Sequence, residues 1–252
     1  MSSNDLLVSQ SGAILRITLN RPDQGNGVTD AMAETFTRTL ADAHARCDMV
    51  VLDANGPDFC IGRAPRDPKA PAPHPEAYRR RDEYDVIFNA YGAMKSAKVP
   101  IIGVIHGRTM GFGTAITALC DVSFASDAAT FNIPEMSHNV MPTMVMSALQ
   151  DRIARNVIAW MTYSTDFISA ERAMGYGFVS TVVPAARLTA EVDAFLEKMV
   201  NTPRAAILGL KEYLRAAPRM DAQGATDFAR SLHSLVNTAA DMQSRQRKKH
   251  KS

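Results

Sequence analysis

Two glycine-containing turns and one glutamate are the parts of this chain whose residue types and spacing could carry out chemistry. The turn 55–63 (Asn-Gly-Pro-Asp-Phe-Cys-Ile-Gly-Arg) follows the apolar stretch 49–53, and the turn 106–114 (His-Gly-Arg-Thr-Met-Gly-Phe-Gly-Thr) follows the apolar stretch 101–105. Glycines let backbone N–H groups point outward, and at a helix N-terminus unpaired donors and the helix dipole favour negative charge. Two main-chain donors from two strand ends could therefore form an oxyanion hole for an enolate.

The glutamate is Glu135, which follows Pro134 and precedes the apolar Met136, Met141 and Met144. A carboxyl group among apolar side chains loses hydration, which raises its pKa and suits it to proton transfer near neutral pH. Spacing alone leaves structural roles open for both features. The glycines at 106–114 could serve only a tight turn, and Glu135 could form an ion pair or cap a helix.

Several common catalytic motifs are missing. The sequence contains no GxSxG nucleophile elbow, no GxxxxGK[ST] phosphate loop and no HExxH zinc pair. Its 6 histidines lack ligand spacing, so no metal site is expected. Gly111 and Gly113 could begin a dinucleotide fingerprint, but Ile116 stands where the third glycine belongs. The 3 cysteines are widely spaced, which fits a reducing compartment.

Composition describes a folded protein without a dominant charge. Apolar residues make up 46% of the 252, enough for a sizeable core, and 28 basic against 26 acidic residues give a net charge of +2. Such a balance does not steer a protein toward nucleic acid or a membrane. The apolar runs are too short to cross a bilayer and the N-terminus does not resemble a signal peptide, so a cytoplasmic location is expected.

The periodicity predicts an α/β core followed by a mostly helical C-terminal half. Strands are predicted at 6–8 and 14–19 as a hairpin and at 49–53, 101–105, 121–125 and 178–183. The proline-rich segment 57–75 is expected to be a mobile surface loop. Helices are predicted at 29–45, 76–96, from the second glycine turn through 119, and at 144–163, 170–174, 186–200, 204–217 and 221–240.

The order of short motifs resembles the crotonase (enoyl-CoA hydratase/isomerase) superfamily over nearly the whole chain. The motifs are Ile17–Pro22, Phe59–Arg63, Val99–Gly107, Phe131–Glu135 and Ser169–Val179. The resemblance implies the crotonase-like (ClpP/crotonase) α/β spiral fold of ββα units, with a core at 1–195. It also implies a helical trimerisation region with a basic tail at 196–252, and hence a homotrimer or hexamer.

The resemblance also implies roles for individual residues. The N–H groups of Arg63 and Phe112 would form the oxyanion hole for an acyl-CoA thioester, and Glu135 matches the family's second catalytic glutamate. The first catalytic glutamate would fall at Ala115. Further residues are implied as contacts of coenzyme A (Gln24, Asn26, Arg66 and Lys211) and of the acyl group (Ala115, His138, Met141 and Met144).

The single carboxylate predicts an enoyl-CoA double-bond isomerase, because a hydratase of this family uses two. Thr143, Met144 and Val145 replace the usual glycine and alanine and are expected to fill and dry the acyl pocket. Coenzyme A would be part of the substrate, so no separate cofactor is expected. The alternatives are a weak hydratase, a carbon–carbon bond hydrolase or decarboxylase that uses His138 or another polar residue, and a non-catalytic protein that binds acyl-CoA or, through residues 245–251, RNA. The basic tail is expected to be disordered, with nucleic-acid binding a minority interpretation.

Overall fold

The computed structural model describes residues 4–65, 69 and 72–249, with only the backbone described for 245–249. Arg66 therefore lies outside the described residues. Among those described, no helix combines the length and the apolar character needed to cross a bilayer.

A six-stranded sheet forms the centre of the molecule, in the order β1-β2-β3-β4-β6-β9. The first pair is antiparallel and the other neighbours are parallel. A second sheet has the order β5-β7-β8. The strands are β1 Leu6–Ser11, β2 Ile14–Leu19, β3 Met49–Ala54, β4 Ile101–Ile105, β5 Arg108–Met110, β6 Val122–Ser126, β7 Thr130–Asn132, β8 Ile168–Ser169 and β9 Thr181–Val183.

Helices cover both faces of the large sheet. They are α1 Asp30–Arg46, α2 Asp85–Ser96, α3 Phe112–Leu119, α4 Thr143–Leu149, α5 Arg155–Ser164, α6 Ala170–Gly175, α7 Leu188–Val200, α8 Arg204–Ala216, α9 Ala222–Asn237 and α10 Ala240–Lys249. Because successive strand residues face opposite sides, β3 supplies Val50 and Leu52 to the main core and Met49 and Val51 to a second cluster. A strand covered on both faces reads as a continuous apolar run, which is why β3 was predictable.

The first predicted helix is confirmed in position and in its buried face. Thr29 caps it by accepting a hydrogen bond from the Met32 N–H at 3.2 Å. Met32, Phe36 and Leu40 point into the main core. α1 thereby fixes one side of the sheet from which the glycine turns emerge.

The predicted helix 144–163 is wrong, because the structure has two helices, α4 and α5, separated at 150–154. α4 buries Val145 and Leu149, and α5 buries Ile158 and Met161. At 3.6 residues per turn, one straight helix would place these two sets on nearly opposite faces. The break lets both sets reach the core.

The predicted helix 76–96 starts later in the structure than the sequence indicates. Residues Arg79–Tyr84 form a 3₁₀ helix in which no residue is buried, and the α-helix starts at Asp85. A charged segment without an apolar stripe gains no packing energy from being helical.

The strand predicted at 178–183 is shorter in the structure, where only Thr181–Val183 form β9.

The C-terminal region consists of α8, α9 and α10. The predicted boundary after residue 195 falls inside α7, whose Leu188, Val192 and Leu196 pack against the sheet. The expectation of a disordered tail is wrong for the described part, where the backbone is helical through Lys249. Leu210, Leu214 and Leu235 are exposed on α8 and α9.

Candidate active site

Both glycine turns leave the same edge of the large sheet. β3 and β4 are parallel neighbours, so the turns that follow them emerge at their carboxyl ends. The two turns are then joined directly. The N–H of Met110 donates to the carbonyl of Cys60 at 2.8 Å, and the N–H of Cys60 donates to the carbonyl of Arg108 at 3.3 Å.

Glycine at position 113 permits this close contact. A Cβ atom there would lie 2.3 Å from the carbonyl oxygen of Cys60, a distance that real Cβ atoms do not adopt. On the other side of the first turn, the N–H of Val28 donates to the carbonyl of Gly62 at 2.9 Å. The turn that carries Arg63 is therefore held between the Val28 segment and the start of α3.

The backbone N–H groups of Arg63 and Phe112 are free to bind a ligand. Phe112 is the first residue of α3, so its N–H has no partner within the helix. The neighbouring N–H of Gly111 donates to the carbonyl of Asn132 at 3.1 Å, and that of Ala64 donates to the carbonyl of Val28 at 2.9 Å. Within the described part of the chain, the N–H groups of Arg63 and Phe112 have no hydrogen-bond partner.

Glu135 is positioned by the end of β7 and by Gly111. It begins a 3₁₀ turn, Glu135–His138. Gly111 has a φ of 48°, and a Cβ on it would lie 2.7 Å from Oε1 of Glu135. The carboxyl group thus lies against the backbone just before Phe112, in space that a larger residue at 111 would occupy.

The Glu135 carboxyl group is partly buried and incompletely paired. Its Oε2 atom is inaccessible to solvent and has no hydrogen-bond partner among the described residues. Burial raises its pKa above 4.5, opposed by its own backbone N–H and by His138. The proton therefore stays on Glu135 to a higher pH than on an exposed glutamate, as acid–base catalysis requires.

The two backbone donors and Glu135 surround one small cavity of about 40 Å³. Its lining residues are Arg63, Ile87, Tyr91, Phe112, Glu135, Met141, Pro142, Met144 and Val145. Five of the residues implied by the motif order meet here: Arg63, Phe112, Glu135, Met141 and Met144. A cavity of this size holds little more than a water molecule or two, so side chains must move to admit an acyl group. Unbranched methionines are suited to such movement.

Other predicted site residues lie outside this lining. Ala115 is fully buried in α3, and His138 is exposed. Gln24 is exposed and its amide oxygen accepts a hydrogen bond from Arg21. Asn26 is fully buried and donates to the carbonyls of Asn55 and Asp58 at 2.8 and 2.7 Å, which fixes the first glycine turn.

Lys211 is not placed beside the cavity. It is 4% exposed, and its Nζ atom donates to both carboxylate oxygens of Asp121 at 2.8 Å. Asp121 also accepts the N–H of Ile101 at 2.7 Å, at the start of β4. Lys211 therefore neutralises a carboxylate at the opposite end of the strands from the glycine turns.

Sequence reasoning missed Tyr91, which lines the cavity from α2. Its ring stacks on that of Phe112 with 5.3 Å between centroids and 24° between planes. The spacing of Ile87, Tyr91 and Met94 on one face of α2 could have indicated burial but not this contact. The nearby thiol of Cys60 is excluded as a nucleophile, because burial raises its pKa to about 12.

The raised pKa of Glu135 predicts a cost to stability at neutral pH. Its stabilising contribution is complete below the unfolded-state pKa near 4.5 and is lost as pH rises through the higher folded-state pKa. Glu135→Gln, which cannot ionise, should raise the free energy of unfolding near pH 8 and change it little near pH 4. Urea denaturation at the two pH values tests this, and an equal difference at both would contradict it.

Comparisons with known proteins agree on one family. The family model described as Enoyl-CoA hydratase/isomerase matches residues 9–251. The chain is 30% identical to the (E)-benzylidenesuccinyl-CoA hydratase of Thauera aromatica over 79% of this chain and 80% of that protein. It is 26% identical to the 2,3-dehydroadipyl-CoA hydratase of Escherichia coli, over 94% and 92%. The crystal structure of an enoyl-CoA hydratase from Mycobacterium smegmatis has a TM-score of 0.85 at 26% identity, covering 94% and 93% of the two chains.

Proposed function

The chain belongs to the enoyl-CoA hydratase/isomerase family, and from that premise we propose that it is an enoyl-CoA double-bond isomerase with Glu135 as its single acid and base. The predicted crotonase-like α/β fold is confirmed by the structural similarity. Coenzyme A enters as part of the substrate, and no separate cofactor is required.

One observation carries this proposal: Glu135 is the only carboxylate among the residues that line the cavity in the described part of the chain. The family resemblance places the first catalytic glutamate at position 115, and there the chain has Ala115, which is buried within α3. Moving a proton between two carbon atoms requires one group that both accepts and donates it. Adding water requires activation of the water as well as protonation of carbon.

The geometry suggests how the reaction would proceed on a 3-enoyl thioester. The Glu135 carboxylate removes a proton from C2, and the electron pair of that C–H bond moves toward the thioester carbonyl. The resulting oxyanion accepts hydrogen bonds from the N–H groups of Arg63 and Phe112. The protonated Glu135 then delivers the proton to C4, the electrons return, and the double bond lies between C2 and C3.

A weak hydratase is the second candidate, because both of the relatives described above are named as hydratases. The cavity has room for a water molecule or two, and Glu135 could protonate carbon alone. Less supports the remaining alternatives. The exposed His138 lies outside the cavity lining, so a hydrolase or decarboxylase would have to use another polar residue such as Tyr91. A half-buried Glu135 whose Oε2 atom has no partner in the described part of the chain is costly to keep in a non-catalytic binding protein.

The homotrimer or hexamer remains part of the proposal. The exposed leucines of α8 and α9 support it, because large apolar side chains on neighbouring helices are typical of subunit interfaces.

The isomerase and hydratase proposals differ in the mass of the product. Purified protein incubated with trans-3-hexenoyl-CoA should give 2-hexenoyl-CoA of unchanged mass, and incubation with trans-2-hexenoyl-CoA should give no water adduct. Mass spectrometry of both reactions separates the candidates. A 3-hydroxyacyl product from either substrate would contradict the isomerase proposal and support the hydratase proposal. The absence of any reaction with acyl groups of several chain lengths would contradict both proposals.

A further inference from the structure

The hydroxyl group of Tyr91, on a side chain that is almost fully buried, is a donor that nothing in the proposed mechanism uses. Tyr91 is 3% exposed and lines the same cavity as Glu135. Its ring is fixed by stacking on Phe112, whose N–H is one of the two oxyanion donors. Among residues 4–65, 69 and 72–249, no donor or acceptor forms a hydrogen bond with its hydroxyl. Buried tyrosine hydroxyls usually have one.

The phenol stays protonated whenever Glu135 is ionised. Burial raises the pKa of Tyr91 well above 10, and the negative charge of Glu135 raises it further. Tyr91 is therefore a hydrogen-bond donor rather than a base. Among the described residues it forms no hydrogen bond with either oxygen of Glu135, and Oε2 of Glu135 is left without a partner.

Each polar group of the cavity can be matched to a substrate atom. The thioester oxygen accepts hydrogen bonds from the N–H groups of Arg63 and Phe112, and Glu135 exchanges a proton with carbon. The rest of the lining is apolar apart from the Arg63 side chain, whose guanidinium pairs with Asp30 at 2.7 Å. A hydrocarbon enoyl group would thus leave the Tyr91 hydroxyl without a hydrogen-bond partner, which is unfavourable.

We propose that Tyr91 donates a hydrogen bond to an oxygen atom on the acyl group, so that the preferred substrates are acyl-CoA thioesters with a carbonyl or carboxylate oxygen near the reacting carbons. This inference rests on the proposed function only in that an acyl-CoA occupies the cavity. It does not depend on whether the bound compound is isomerised or hydrated.

Binding of acyl-CoA compounds without an isomerisable double bond tests the inference separately from turnover. Two matched pairs are suitable: butyryl-CoA with 3-oxobutyryl-CoA, and valeryl-CoA with glutaryl-CoA. Calorimetry on the full chain should show that at least one of 3-oxobutyryl-CoA and glutaryl-CoA binds about tenfold more tightly than its matched partner. This difference in affinity is what one good hydrogen bond contributes. Tyr91→Phe keeps the stacked ring and should abolish that preference, while it leaves the binding of butyryl-CoA and valeryl-CoA unchanged.

Tyr78→Phe is the matched control, because Tyr78 is 74% exposed and its loss of a hydroxyl should change none of the four affinities. The inference is overturned if the wild type shows no preference in either pair, or if Tyr91→Phe weakens all four ligands equally. If none of the four binds while 3-enoyl-CoA is also unreactive, the proposed function fails together with it.

Discussion

Glu135→Gln is expected to reduce kcat for 3-enoyl-CoA by roughly 10²- to 10⁴-fold and to leave acyl-CoA affinity nearly unchanged. Glutamine has almost the same shape, but it cannot accept the C2 proton. The N–H groups of Arg63 and Phe112 belong to the backbone and remain in place to bind the thioester. Steady-state kinetics gives the change in kcat, and calorimetry with butyryl-CoA gives the change in Kd.

Glu171→Gln provides the matched control for this variant, because Glu171 is exposed on α6 and should be replaceable without loss of activity. Full turnover in Glu135→Gln would remove Glu135 from the mechanism. A large loss of binding in that variant would instead show that the carboxylate holds the ligand rather than transferring a proton.

Gly113→Ala is expected to lower kcat by roughly 10²- to 10³-fold, the usual effect of losing one oxyanion donor. The new methyl group would lie 2.3 Å from the carbonyl oxygen of Cys60, so the first glycine turn must move away from α3. Movement of that turn displaces the N–H of Arg63 from that of Phe112. Overpacking at this contact should also lower the free energy of unfolding by about 1–3 kcal/mol.

Gly92→Ala separates this geometric effect from the general effect of replacing glycine. Gly92 lies in α2, where a new Cβ would meet no atom within 4 Å apart from its chain neighbours and the backbone of its own helix. The control should therefore keep full kcat and gain roughly 0.5–1 kcal/mol of stability from higher helix propensity. If Gly113→Ala loses stability but keeps normal kcat, the joined turns do not set the oxyanion geometry.

The parts of the site carried by backbone turns could be predicted from the sequence. Glycines after apolar strands indicated where backbone N–H donors would be exposed. The order of the motifs predicted that Glu135 lies in the same site as Arg63 and Phe112. These features are local, because strand ends and turn residues are readable in a short window. The structure places all three around one cavity.

Features that depend on packing between distant elements could not be read in this way. The stacking of Tyr91 on Phe112 requires knowledge of how α2 lies against α3. The burial of Lys211 depends on its pairing with Asp121, 90 positions earlier in the chain. The break between α4 and α5 follows from the position of the core rather than from any proline or glycine at 150–154.

The central claim is that one carboxyl group carries the proton from C2 to C4, and deuterium transfer tests it most directly. A trans-3-enoyl-CoA with deuterium at both C2 positions is converted in ordinary water, and the early 2-enoyl product is analysed by mass spectrometry and NMR. The partly buried Glu135 carboxyl, whose Oε2 atom is inaccessible to solvent, lies beside a cavity of about 40 Å³ and predicts that a measurable fraction of product carries deuterium at C4. Product with only hydrogen at C4 from the first turnover would contradict a single, water-shielded proton carrier.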